Sequence, residues 1–287
     1  MTKEINYVSL ADDRIFTSFF NNPDNIVFLE YLISALLGKE YEDVKGKIEI
    51  LSRYIPIRDY IESNKQIDLE VIYNNNYVLN IEMNKRYYDG LIDRNVIYLS
   101  SMHVTNLKRR FKSYKEIGFA YQYNLNNFHY QNERLIESYY FKGPNGNILT
   151  DKVKVDMIDM TLAMQKDYTY NDKREELIGL WCQMFLAKDR LERNKRISGL
   201  MEDEKLRKEF IEKLDALSNE MHDHPLITKY GRFEMEQNTL IAEAEERGEN
   251  KRNIEIAKNM IAMKMDIKTI AQVTGLTEQD IKKLNNQ

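Results

Sequence analysis

Cysteine is almost absent. Cys182 is the only one in 287 residues, which excludes a disulfide framework and a cysteine-based zinc site. Proline and glycine are scarce as well, at 4 and 11, so the chain is neither collagenous nor linker-rich and is expected to build long regular elements. The four histidines form no His-Glu-x-x-His pair. No uncharged apolar run reaches the roughly 18–20 residues of a membrane span. The longest candidate, Ile26 to Leu37, is short and interrupted by Glu30, so no membrane partner is expected. Met1 to Asn6 lack a basic stretch leading into an apolar one. No secretory leader is therefore expected, and a reducing cytoplasm is the expected compartment.

Neither charge dominates. The 42 Lys+Arg stand against 46 Asp+Glu, a formal net charge of −4. That speaks against a protein that coats nucleic acid through global charge, and it leaves room for a local basic groove. The apolar share of 43 % is enough for a core in one large or two modest domains.

Hydropathy patterning orders the chain. Asn21 to Asp24 read as a capping loop, Ile26 to Leu37 as a helix, and Gly38 as its stop. Ile48 to Ile57 reads as extended. Lys65 to Tyr73 and Tyr77 to Lys85 read as strands joined by Asn74, Asn75 and Asn76. Asp93 to about Lys115 has helical spacing. Ile117 to Phe128, Ile136 to Phe141 and Val153 to Ile158 read as further strands, the last two flanking a Gly143–Asn147 turn. Helices then dominate: one face of Leu177, Leu180, Trp181, Met184 and Phe185, a charged helix from Met201 to Met221, and Ile227 to Met265 as one long helix. The expected organisation is an α/β core over 1–165 with a mixed sheet flanked by helices, a helical extension over 166–224 packed on it, and a helical C-terminal region over 225–287.

The chemistry concentrates in the hairpin. Side chains alternate between the faces of a strand. Leu69, Val71 and Tyr73 share an apolar face with Tyr77, Leu79, Ile81 and Met83. Asp68 and Glu70 share the other face with Asn80, Glu82 and Asn84. If the three Asn form the loop, paired residue numbers sum to 150 and Asp68 stands opposite Glu82. A two-residue or four-residue loop puts polar residues opposite apolar ones. Opposed Cβ atoms lie about 4.5–5.5 Å apart, so two like charges there call for a proton or a cation between them. A hard divalent ion is held by one or two carboxylates and activates water beside a phosphodiester. On spacing alone, the same pattern is also that of the solvated face of an amphipathic hairpin.

An Asp on one strand, followed about a dozen residues on by Glu-x-(Lys/Gln) on the next, is the signature of the PD-(D/E)xK nuclease fold. The chain more closely resembles the Rpn family of recombination-promoting nucleases and transposases. Asp13-Arg14-Ile15-Phe16-Thr17 is similar to the family's Asp-x-x-Phe-Lys. Tyr31 to Leu37 is similar to its Phe-Leu-Asn-x-Leu-Leu helix. Lys65 to Asp68 and Ile81-Glu82-Met83-Asn84 are similar to its Lys-x-x-Asp and Ile-Glu-Met-Gln strands. Arg94 to Leu99, Trp181 and Ile270 to Leu276 match in the same order.

The resemblance implies a divalent-metal-dependent DNA endonuclease with Mg²⁺ (or Mn²⁺ or Ca²⁺) on Asp68 and Glu82. The third position, usually Lys or Gln, is Asn84, one methylene shorter than Gln. Lys85 faces away on an ideal strand unless a bulge swings it in, and Lys65 is the other nearby cation. Lys108, Arg109, Arg110 and Lys112, interleaved with Phe111, are candidates to track a DNA backbone, with Arg94 beside the site. The same basic run also suits a solvated helix end. Asp13 and Glu30 are candidate accessory acids. The tail has a helix-turn-helix cadence, with Gly275 at the turn and Thr277 capping the second helix. Glu278 and Asp280 make that helix start acidic, so packing or self-association is the favoured role, with homo-oligomers through the C-terminal helices. The alternative to an active endonuclease is a decayed nuclease fold that binds DNA or itself.

Overall fold

The structure, a computed structural model, describes residues 7–51, 69–107, 113–222, 248 and 251–285. The chain divides into two compact units, one up to His224 and one from Pro225.

The first unit opens with helices. Asp12 caps α1 (Asp13–Phe20) by accepting from the Arg14 amide. Asn22 accepts from the Asp24 amide and starts a single 3₁₀ turn, which leads into α2 (Ile26–Leu37). Gly38, at φ +65°, ends α2 in the left-handed region that a Cβ disfavours. A short α3 (Tyr41–Val44) precedes the edge strand β1 (Ile48–Ile50).

β2 (Leu69–Tyr73) and β3 (Tyr77–Asn84) form the expected hairpin, with Leu69 opposite Ile81 and Tyr73 opposite Tyr77. Asn74 and Asn75 carry φ of +50° and +53°, which Asn tolerates better than most residues. The helix α4 (Leu91–Leu107) then crosses over the sheet to β4 (Phe119–Asn126), which runs parallel to β3. Gly118 lets the chain enter β4, because a Cβ there would sit 2.0 Å from the Asn76 carbonyl oxygen. That same carbonyl accepts the Phe119 amide at 2.8 Å, locking the hairpin tip to the start of β4. β5 (Ile136–Lys142) and β6 (Ile148–Asp159) complete a mixed sheet of order β1-β2-β3-β4-β6-β5. β6 is parallel to β4 and antiparallel to β5.

The two faces of the sheet are covered differently. On one, Phe16, Phe19, Phe20 and Phe28 pack with Trp181 and Phe185 of α5 (Lys173–Phe185) and Phe210 of α7 (Glu204–His222). Ring centroids as close as 4.8 Å make this the main aromatic core, each pair adding about 0.5–1.5 kcal/mol beyond area burial. Asp156 is buried on β6 and accepts from Lys154 (2.8 Å), Arg174 of α5 (2.6 Å) and Ser138 of β5 (2.6 Å). Loss of water lowers the Lys154 pKa against the pull of Asp156.

The helical series breaks at Asp189, which caps α6 (Arg190–Ile197). The buried Arg193 of α6 and the neighbouring Arg190 both pair with Asp215 of α7. On the other face of the sheet, Leu99 and Met102 of α4 pack on Ile72, Val78, Ala120 and Val153.

The second unit is a small helical bundle. α8, described over 251–262, ends before Met265, where Lys264 turns the chain at φ +56°, and most of the expected Ile227–Met265 helix lies outside the described residues. α9 (Ile267–Thr274) and α10 (Glu278–Asn285) follow, with Gly275 left-handed between them. Ala257, Met260, Ile270 and Ile281 form the core. Thr277 caps α10 by accepting from the Asp280 amide at 3.2 Å.

Candidate active site

The polar face of the hairpin is not solvated. Asn80, Glu82 and Asn84 are buried, at 2 %, 8 % and 6 % exposure, under α4. On β3 this differs from the solvated face of an amphipathic hairpin, while on β2 Glu70 is half-buried and Asp68 lies outside the described residues. The alternation is that of a strand buried on both faces, whose polar side chains have protein partners. Those partners come from β4, where Gln122, Asn124 and Asn126 stand beside Asn80, Glu82 and Asn84 in the parallel register. The same two-residue period in the β4 sequence is the signal that identifies them.

The hydrogen bonds connect this face to α4. Asn80 Nδ2 donates to Glu82 Oε1 at 3.1 Å, and Asn84 Nδ2 donates to Asn126 Oδ1 at 3.0 Å. Gln122 Nε2 donates to Asn95 Oδ1 of α4 at 2.9 Å. One turn into α4, Arg94 reaches across: its guanidinium donates to Asn84 Oδ1 at 2.7 Å and lies 3.4 Å from Glu82 Oε2. The rings of Tyr88 and Tyr98 each sit 5.5 Å from it. Arg94 is thus a charge within the cluster, not a surface ion pair.

Burial leaves several polar atoms unpaired among the described residues: Asn80 Oδ1, Gln122 Oε1, Asn124 Nδ2, Asn126 Nδ2 and Arg94 Nε. Unpaired buried polar atoms cost on the order of 1–3 kcal/mol each, and five of them belong to this face and to the Arg94 that covers it. Asp159, the register partner of Asn126, extends the row at the sheet's end. It is buried, accepts from Thr161 Oγ1 at 2.6 Å, and lies 2.7 Å from His129 Nδ1. Glu70 stands opposite Asn80, and burial raises its carboxyl pKa.

Asp68, Lys65, Lys108, Arg109, Arg110 and Lys112 fall outside the described residues. Lys85 is exposed just past β3, and the β3–β4 register runs through Asn84 without a bulge. Asp13 is exposed in the first turn of α1. Glu30 is buried but engaged elsewhere: its carboxylate accepts the Gly46 amide at 2.6 Å and the Tyr41 hydroxyl at 3.4 Å, holding the turn before β1.

Among the described residues, no three His, Cys, Asp or Glu side chains gather in one place. The oxygen donors present are the Glu82 carboxylate and the unpaired amide oxygens of Asn80 and Gln122. Carboxylate and amide oxygens are what hard divalent cations take, so the donor set fits such an ion. Among the described residues, no helix is long and apolar enough to cross a membrane.

No curated protein and no solved structure matches the chain. Residues 250–286 match the C-terminal HTH domain of the Rpn/YhgA-like nuclease family. Residues 10–244, most of the chain, match the PD-(D/E)XK nuclease family transposase, and the hairpin with its buried Glu82 lies inside that match. The chain belongs to the PD-(D/E)XK nuclease family of transposases, carrying the Rpn-type helix-turn-helix domain at its C-terminus.

Proposed function

We propose that the protein is a divalent-metal-dependent DNA endonuclease that hydrolyses phosphodiester bonds in recombination or transposition. The observation that carries this reading is the Glu82 carboxylate. It is buried among unpaired amide atoms, with Asn84 two residues on along the same strand face and Arg94 3.4 Å away. Glu82 and Asp68 would hold the ion. Asp68 is the second carboxylate because the register read from the sequence sets it opposite Glu82. A bound Mg²⁺, or Mn²⁺ in its place, supplies an activated water and neutralises charge on the phosphate.

The chain's own groups do the rest. Asn84 offers an amide, not a cation, at the third position of the signature. Arg94 takes over the positive charge and fixes Asn84 through its carbonyl oxygen, which leaves the amide N–H groups directed at Asn126 and Asn124. The planar guanidinium also suits a phosphoryl oxygen that approaches Glu82. Lys108, Arg109, Arg110 and Lys112 belong to the proposal as backbone contacts that hold the DNA. The helix-turn-helix match supports DNA as partner of the tail as well.

Plasmid nicking with Mg²⁺, Mn²⁺ or EDTA tests the reading. Metal-dependent nicking that disappears in both Asp68→Ala and Glu82→Ala is the expected result. DNA binding without any nicking by the wild type would instead support a decayed nuclease that acts as a binding protein. That second reading draws on Asn84 in place of the usual Lys or Gln.

A further inference from the structure

Two loops frame the end of the amide-lined face. One follows β3 over 85–90 and the other follows β4 over 127–135. They are joined at their base, where the Asn127 amide donates to the Asn84 carbonyl at 2.8 Å. Above that bond, Tyr87 stacks on Tyr130 with centroids 4.9 Å apart and planes 16° from parallel, and Phe128 meets Tyr87 edge-on at 6.1 Å. The second loop is anchored by His129, whose Nδ1 lies 2.7 Å from the buried Asp159. Tyr88 lies against the Arg94 guanidinium.

These rings are not core. Tyr87 is 42 % exposed and Tyr88 40 %. Lys85 and Arg86 immediately precede them in sequence, Arg94 lies against Tyr88, and the carboxylates of Asp89 and Asp93 act on Tyr87. Exposed aromatic rings with a guanidinium beside one of them suit a nucleic-acid strand, whose bases stack on rings and whose phosphates pair with arginine. Bases inside a duplex keep their faces covered by their neighbours, so an exposed ring rewards only a base that is out of the stack.

We propose that the Tyr87–Tyr130 stack is a platform for an unpaired DNA base beside the phosphate handled at Glu82, which makes single-stranded or locally opened DNA the preferred substrate. This rests on the nuclease reading and names its substrate class.

The test is binding to the full chain in EDTA, followed by the anisotropy of a fluorescein-labelled single strand and of the blunt duplex of the same sequence. The wild type is expected to bind the single strand more tightly. Tyr87→Ala and Tyr130→Ala each weaken single-strand binding by about tenfold or more, since stacking is worth that much per base. Tyr87→Trp restores it, and duplex affinity moves far less. A single strand carrying 2-aminopurine should lose fluorescence on binding wild type, a readout that needs no variant to fold. The proposal is overturned by wild type that prefers duplex, by alanine variants that bind single strands as wild type does, by equal losses on both DNAs, or by unchanged 2-aminopurine emission. Absence of metal-dependent nicking would strike the nuclease reading while leaving these binding results intact.

Discussion

Arg94 supplies a charge that Asn84 cannot. Asn84 and Glu82 face the same side of β3, and the guanidinium bridges them at 2.7 Å and 3.4 Å. Two flanking tyrosine rings hold it there. A fork with several fixed donors can serve both partners at once, whereas an ammonium is a point charge on a flexible stem. Arg94→Lys is therefore expected to retain the fold and to lower metal-dependent nicking by about 10- to 100-fold, because the reacting groups lose their fixed geometry. Initial nicking rates under saturating Mg²⁺, with circular dichroism as the control for folding, give the answer. Undiminished nicking would remove Arg94 from the site.

At the scale of elements, the hairpin and what lies on it decide where the site is. The tip of the hairpin seats on the entry to β4 through Gly118. A methyl group there would collide with the Asn76 carbonyl, which is backbone and has little room to yield. Gly118→Ala is expected to destabilise the protein by about 1–3 kcal/mol, as overpacking does. Gly143→Ala, whose added Cβ would find its nearest atom at 3.8 Å, is expected to change stability little. Urea unfolding of both variants measures the difference, and equal midpoints would contradict the packing argument. The register of this hairpin was legible in the sequence because alternation and the Asn turn agree on one pairing, and Leu69 does face Ile81. The burial of its polar face was not legible. Period-two polarity reads the same whether water or an amide from the next strand satisfies it, and the covering helix α4 comes later in the chain. Arg94 was visible as a neighbour of the site, but its grip on Asn84 depends on how α4 crosses the sheet. His129 and Asp159 carry no spacing signal at all, since a buried acid 30 residues from its histidine becomes a pair only through the β4–β6 register.

For the whole molecule, a net charge of −4 offers no overall attraction to DNA, so the proposed DNA binding rests on local features. The nuclease match covers most of the larger unit and runs to residue 244, and the helix-turn-helix match covers 250–286 of the smaller one. The larger unit carries the proposed chemistry: acids from paired strands gripping a common metal. Equilibrium Mn²⁺ binding, read from the paramagnetic resonance of the free ion, probes this directly in wild type, Asp68→Ala, Glu82→Ala and the double variant. The tight site should vanish in either single variant, with no further loss in the double. Wild-type Mn²⁺ affinity in Glu82→Ala would contradict the account.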